Sequence, residues 1–253
     1  MNFKDLFSQH ASDYARFRPR YPEALFSWLK TLVPRPGLAV DVGSGNGQAA
    51  TALAAHFERV IAIDPSASQL AHGESLANLD YRKAAAEETG LDPATVDLLV
   101  AAQAFHWFDQ EAFFSEARRI VKPGGALAIW CYGLTHITPE IDGLVHELYE
   151  ARLGPYWDPE RRLVEAGYRS VVVPFTELGT PPFEMRFSWT LGELVGYLGT
   201  WSSLKRYIQR HGEKPGPEGG NPLEKMFPRF EQAWGSAAER TVIWPLSLRA
   251  FRL

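Results

Sequence analysis

Asp41 stands in front of three glycines at every second position, in the stretch Val40-Asp41-Val42-Gly43-Ser44-Gly45-Asn46-Gly47-Gln48. Backbone this bare of side chains lets a ligand approach main-chain N–H groups. Between an apolar strand and a helix it makes a nucleotide-binding corner. A second acid, Asp64, ends the next apolar run, 19 residues after Gly45. That is close to the ~20 residues expected of a carboxylate that accepts both hydroxyls of a ribose. The plain alternatives are an ordinary tight turn for the glycines and a helix N-cap before Pro65 for Asp64.

The spacing narrows the nucleotide. A dinucleotide fingerprint places Gly or Ala at the sixth position, which Gln48 occupies when counted from Gly43. A P-loop is excluded, because no Gly-Lys-Ser/Thr follows. Asp41 would repel a pyrophosphate. It suits a ligand that carries an ammonium group and a positive sulfur, and S-adenosylmethionine is such a ligand.

Further chemistry lies downstream. His106 follows an apolar run, Val96 to Ala102, at the edge where open α/β sheets bind ligands. It is a candidate base if an acceptor must lose a proton, or else a structural ring. Phe105 and Trp107 flank it as cofactor wall or core. Trp201-Ser202-Ser203-Leu204-Lys205-Arg206-Tyr207 offers an aromatic, basic face on which Arg206 could clamp an acidic substrate, and Arg18 is the alternative clamp. The plain alternative is a solvated helix face. Trp130 and Tyr132, after another apolar run, are candidates for the same site. The remaining histidines (His10, His56, His72, His136, His146, His211) have no metal-ligand spacing, so no metal is expected.

These residues need a scaffold. Leu38–Val42, Arg59–Ile63, Tyr81–Ala84, Val96–Ala102 and Ala126–Cys131 read as strands. Between them lie helical patterns such as Ala49-Ala50-Leu53-Ala54-Phe57 and Phe113-Phe114-Ala117-Ile120. Pro65 starts a helix expected to reach about Glu74, and Asp109 and Thr138-Pro139 open others. Apolar strands alternating with helices predict a parallel sheet covered on both faces. Ser170–Thr176 and Val242–Phe251 read as two late strands, with a helix around Leu191–Leu198 between them. His211–Pro222 is an irregular loop rich in Gly and Pro.

The chain has 253 residues, 45% of them hydrophobic, and fits one domain. A net charge of -4 gives no global field for nucleic acid. The single cysteine, Cys131, excludes an internal disulfide and a cysteine-based zinc site. No signal-type or membrane-spanning run is visible, so a cytoplasmic protein with a small-molecule substrate and no membrane partner is expected.

The segments VDVGSGNGQ, IAIDPS, AAAEETGL, VDLLVAAQAFHWFD and VKPGGALAIW resemble, in order and spacing, class I S-adenosylmethionine-dependent methyltransferases. With YARFRPRYP and TWSSLKRY, they are most similar to the trans-aconitate methyltransferase-like branch. The resemblance implies an α/β, Rossmann-like fold with a seven-stranded, mostly parallel sheet, an antiparallel last strand and helices on both faces. It implies that Asp41, Gly43, Ser44, Gly45 and Gly47 hold the methionine end of the cofactor. Asp64, Pro65 and Ser66 would lie at the ribose, and Ala86 and Glu87 at the adenine side. Gln103 would lie near the methionine moiety. Tyr14 and Arg18 belong to an N-terminal segment, within 1–36, that closes over the cofactor in this family. An insertion over 177–240 would roof the acceptor site with Trp201 and Arg206. A carboxylic acid is the leading acceptor, because a carboxylate needs no base and only a cation to position it. A phenol or amine with His106 as base, an NAD-type oxidoreductase and a cofactor-binding module without transfer remain open.

Overall fold

The structure is a computed structural model that describes residues 19–212 and 220–253. Tyr14 and Arg18 lie outside the described residues.

Five parallel strands build most of the sheet: β1 (Leu38–Val42), β2 (Arg59–Asp64), β3 (Leu79–Lys83), β4 (Val96–Ala102) and β5 (Val121–Tyr132). Three shorter or later strands complete it: β6 (Thr176–Leu178), β7 (Phe183–Trp189) and β8 (Arg240–Arg252). The order is β3-β2-β1-β4-β5-β8-β6, and β8 runs antiparallel to β5. β6 pairs with Ala250–Arg252 and β7 with Arg240–Leu246. The two share one rank beside β8, so eight segments fill seven positions. The order of strand addition reverses between β1 and β4, which run parallel. Both carboxyl ends there open on one edge, where ligands bind in such sheets.

The central strands are apolar on both faces because both faces are covered. Along β5, Leu127, Ile129 and Cys131 face one layer and Ala126, Ala128 and Trp130 the other. The first layer is α4 (Gln110–Ile120), following α1 (Glu23–Thr31), α2 (Gln48–Ala54) and α3 (Ala67–Leu70) in the chain. It packs Phe113, Phe114, Ala117 and Ile120 against the sheet. On the opposite face α1 contributes Leu25, Phe26 and Leu29, and α2 contributes Ala49, Ala50 and Leu53.

The remaining helices are α5 (Pro139–His146), α6 (Arg161–Glu165), α7 (Leu191–Gly199), α8 (Ser202–His211) and α9 (Pro222–Trp234). α5 opens with a Thr138 cap and continues into a wider π-turn over Glu147–Arg152. With β7 and β8, helices α5, α7, α8 and α9 form a separate aromatic cluster that includes Trp189, Trp201, Trp234 and Trp244.

Several expectations are corrected. Ser170–Thr176 is not a strand; strand structure starts at Thr176. The stretch is held instead by the Arg249 guanidinium, which donates to the Tyr168 and Val171 carbonyls at 2.8 Å each. The helix after Pro65 spans only Ala67–Leu70 and is capped by Ser66. β7 was legible but not read: Phe183, Met185, Phe187 and Trp189 alternate with polar residues. α9 begins at an Asn-Pro pair, with Asn221 capping the Leu223 amide. Among the described residues no helix is long and apolar enough to cross a membrane.

Candidate active site

The glycine turn follows β1, and all three of its glycines have left-handed backbone: φ is 66° at Gly43, 56° at Gly45 and 82° at Gly47. They do different work. A Cβ on Gly43 would meet the Cβ of Ala104 at 2.5 Å, and one on Gly47 would meet the Tyr81 hydroxyl at 2.5 Å. Those two glycines let the tips of β4 and β3 close on the turn. A Cβ on Gly45 would meet nothing nearer than Gln69 Oε1 at 3.9 Å. Gly45 is the position left open to a ligand. Gly47 precedes α2 without a side-chain cap, so the helix presents unpaired amides there.

Asp41 lies in β1, facing α2, with no solvent exposure. Neither of its carboxylate oxygens has a hydrogen-bond partner among the described residues. Burial raises its pKa to about 8, and the Asp64 charge adds to this. The Ala50 amide offsets part of the rise without reaching hydrogen-bond geometry. Asp41 is therefore largely protonated at neutral pH. A cation beside Asp41 would favour its ionised form at neutral pH. Ser44 Oγ and Gln69 Nε2 are also buried without partners among the described residues. Gln69, missed in the sequence, comes close to Gly45 only because α3 folds back over the turn.

Asp64, at the end of β2, accepts the Gly45 amide through Oδ2 and the Ser66 amide through Oδ1, both at 2.8 Å. It is not a helix cap; Ser66 Oγ caps α3 by accepting the Gln69 amide. On the next loop Ala86 is buried, and Glu87 Oε1 accepts the Asp109 amide at 2.8 Å. Glu87 thus ties the loop after β3 to the start of α4.

A cleft of about 620 Å³, counting space open to solvent, lies at the strand tips below a helical roof. Gln103, His106, Trp107 and Tyr132 line it from the sheet; Trp157, Asp158, Arg161, Tyr197, Trp201 and Ser202 line it from the roof. Gln103 has a left-handed φ of 54°. Its amide clamps Tyr132, donating to the carbonyl at 3.2 Å and accepting the N–H at 2.9 Å. This locks the ends of β4 and β5 together. A non-glycine residue in that conformation is the kind of strain that collects at functional sites.

The aromatic residues divide. Trp107 and Trp201 line the cleft, whereas Phe105 is core. Trp130, expected at the acceptor site, is fully buried on the α1/α2 face of β5, with Tyr21 edge-on at 5.5 Å. Tyr132, on the same face two residues later, reaches the cleft because it lies at the strand's carboxyl end.

The cations divide too. Arg206 donates to Asp158 at 2.5 Å and to the Tyr156 carbonyl at 3.0 Å, and it does not line the cleft. The arginine that lines it is Arg161, missed in the sequence because α6 is only five residues long. Its guanidinium lies over Trp157 at 4.9 Å and Tyr149 at 5.6 Å, and its Nε donates to the Tyr149 hydroxyl at 3.0 Å. No carboxylate among the described residues forms an ion pair with it. Burial, reinforced by the Arg161 charge, pushes His106 down to about 3. Among the described residues no cluster of three or more His, Cys, Asp or Glu could hold a metal.

A turn of three left-handed glycines, an acid on the neighbouring strand tip and orphaned polar atoms between them suit a nucleoside cation. The family described as a methyltransferase domain matches residues 40–129. A Dictyostelium discoideum protein described as a methyltransferase is 34% identical over 229 residues, 89% of this chain and 87% of its own length. A solved type II methyltransferase structure from Anaeromyxobacter dehalogenans is 44% identical, with a TM-score of 0.85 over 93% of this chain and 98% of that one. A Saccharomyces cerevisiae protein named as an S-adenosylmethionine-dependent methyltransferase is 30% identical over 132 residues, 48% of this chain and 45% of that protein. The chain belongs to the class I S-adenosylmethionine-dependent methyltransferases.

Proposed function

We propose that the chain moves the methyl group of S-adenosylmethionine to a carboxylate oxygen of a small acid seated in the roofed cleft. When bound, the cofactor supplies an electrophilic methyl group on a sulfonium. Asp41, Gly43, Ser44, Gly45 and Gly47 would hold its methionine end. Asp64, Pro65 and Ser66 would hold the ribose, Ala86 and Glu87 would flank the adenine, and Gln103 would lie beside the methionine. The buried Asp41 carboxyl, Ser44 hydroxyl and Gln69 side-chain Nε2, all without partners among the described residues, fit a ligand that brings its own donors and acceptors. Tyr14 and Arg18 join this set by resemblance alone.

The acceptor class rests on His106. A ring pushed to about 3 is a poor proton acceptor at neutral pH. An amine or phenol would find a weak base there, whereas a carboxylate is already ionised. Arg161 provides the cation. With Nε engaged by Tyr149, its terminal nitrogens are left for a two-point hold on a carboxylate. Trp157 and Trp201 above the cleft exclude water from the reacting pair and align it, which supplies rate through proximity. The likeness of AFHWFD and TWSSLKRY to trans-aconitate methyltransferases points the same way. Family membership removes the dinucleotide reading.

The test is methyl transfer from labelled S-adenosylmethionine to panels of small carboxylic acids, phenols and amines. A base-labile methyl ester is expected. Transfer confined to phenols or amines would overturn the acceptor class and restore His106 as base.

A further inference from the structure

We infer that Tyr168 fixes His106 in the tautomer with its proton on Nε2, so that the ring meets the acceptor as a hydrogen-bond donor. The donor role rests on the reading above; the tautomer does not.

Tyr168 is fully buried beneath the cleft, and its hydroxyl lies 3.0 Å from His106 Nδ1. With Nδ1 engaged, Nε2 is the nitrogen left to the cleft that the ring lines. The pair bond can run either way, and the surroundings choose. A buried phenol must place its proton on an acceptor. Two are in reach, His106 Nδ1 and the Cys131 sulfur. A thiol is a weak acceptor, and Cys131 already directs its own S–H to the Val164 carbonyl at 3.7 Å. The phenol proton therefore goes to Nδ1. A neutral imidazole that accepts at Nδ1 carries its proton on Nε2. The opposite tautomer would surrender the phenol proton to sulfur.

The chain goes to some length to place this phenol. Gly167 and Tyr168 have consecutive left-handed φ values of 57° and 58°, a region a bulky residue rarely enters. A Cβ on Gly167 would meet Ser247 Oγ at 2.6 Å. The Arg249 clamp on the Tyr168 and Val171 carbonyls holds the turn, and Phe105 packs edge-on to the Tyr168 ring at 5.3 Å. Strain over-determined by its surroundings in this way marks a functional site. Arg161 faces His106 from the roof and Cys131 lies on the Tyr168 side, so the Nε2–H and the guanidinium present donors to one cleft. Tyr168 is a positioning residue acting through His106.

Ring-nitrogen NMR on the full chain, with His106 assigned by its loss in His106→Gln, reads the tautomer without any acceptor. Wild type is expected to show a bare Nδ1 and a protonated Nε2 between about pH 5 and 8. Tyr168→Phe is expected to shift the signals toward a mixture. A wild-type proton on Nδ1, or unchanged ring signals in Tyr168→Phe, would overturn the inference. Should Tyr168→Phe not fold, turnover decides. The Gln amide can replace an Nε2–H donor but not a base. His106→Gln is expected to keep kcat within about tenfold, with KM below that of His106→Leu; a loss on the order of a hundredfold overturns the donor role. A wrong acceptor class would fail in the transfer panel while leaving the ring spectrum as stated.

Discussion

The carboxylate of Asp64 accepts the Gly45 amide at 2.8 Å, so the tip of β2 and the open glycine of the turn are one hydrogen-bonded unit. Asp64→Ala is expected to weaken S-adenosylmethionine binding at least tenfold, about 1.4 kcal/mol, by calorimetry. The same change strips an acceptor from the Gly45 and Ser66 amides, so the melting temperature should fall as well. Unchanged affinity would remove Asp64 from the ribose site.

The three glycines should fail differently. Gly43→Ala and Gly47→Ala drive a methyl into Ala104 and Tyr81, so both should lose stability, by about 1–3 kcal/mol from backbone strain alone and more from the clash. Gly45→Ala bears the strain without the clash. It should remain folded yet bind cofactor more weakly. Denaturant melts paired with calorimetry separate the two classes.

Asp41 gives a pH dependence with a definite sign. Its pKa is raised from 3.8 to about 8, so between those values the folded chain keeps a proton that the unfolded chain has lost. This contribution to stability is complete below pH 3.8 and is lost as pH rises to about 8. His106, lowered from 6.5 to about 3, has the opposite slope, but only below 6.5. From about pH 6.5 to 8 stability should therefore fall, and Asp41→Asn should flatten that slope in thermal melts.

Cofactor binding should then release protons. A ligand ammonium beside Asp41 favours its ionised form, so affinity should rise toward pH 8. Calorimetric enthalpies at pH 7 should differ between phosphate and Tris buffers. Buffer-independent enthalpies would mean that Asp41 does not face a cation.

Arg161 and Arg206 should separate binding from stability. Arg161→Ala is expected to raise KM for an acidic acceptor at least tenfold with little change in the melting temperature, because no ion pair is lost. Arg206→Ala removes the guanidinium that pairs with the buried Asp158. Breaking a buried ion pair by removing one partner is costly, so that variant should melt several degrees lower. Steady-state kinetics and thermal melts of both variants decide it.

Much of the fold was legible because the signals are local. The apolar runs of β1, β2, β4 and β5 need no distant partner to be recognised, and the Gly-rich turn between β1 and α2 carries its own backbone requirement. The acid at Asp64 was legible from spacing, since β1, α2 and β2 are consecutive. β7 carried a period of two that could have been read. The Ser170–Thr176 segment was misread because its β-branched residues resemble a strand, while Gly167, Tyr168 and the Arg249 clamp hold it in turns.

The sequence by itself determined the nucleotide corner, its acids and the parallel core, because adjacent residues and a 19-residue spacing encode them. Only the tertiary structure decided which side chains share the cleft. Arg161, Trp157 and Tyr168 lie 50 or more residues from His106 in the chain, and no local pattern records that α6 and its following turn fold back over the strand tips. Whether Arg161 or Arg206 is available to a ligand depended on where Asp158 sits. Whether His106 is basic depended on burial and on the Arg161 charge. Charge and basicity are set by what packs around a group, and packing is not written in the order of residues.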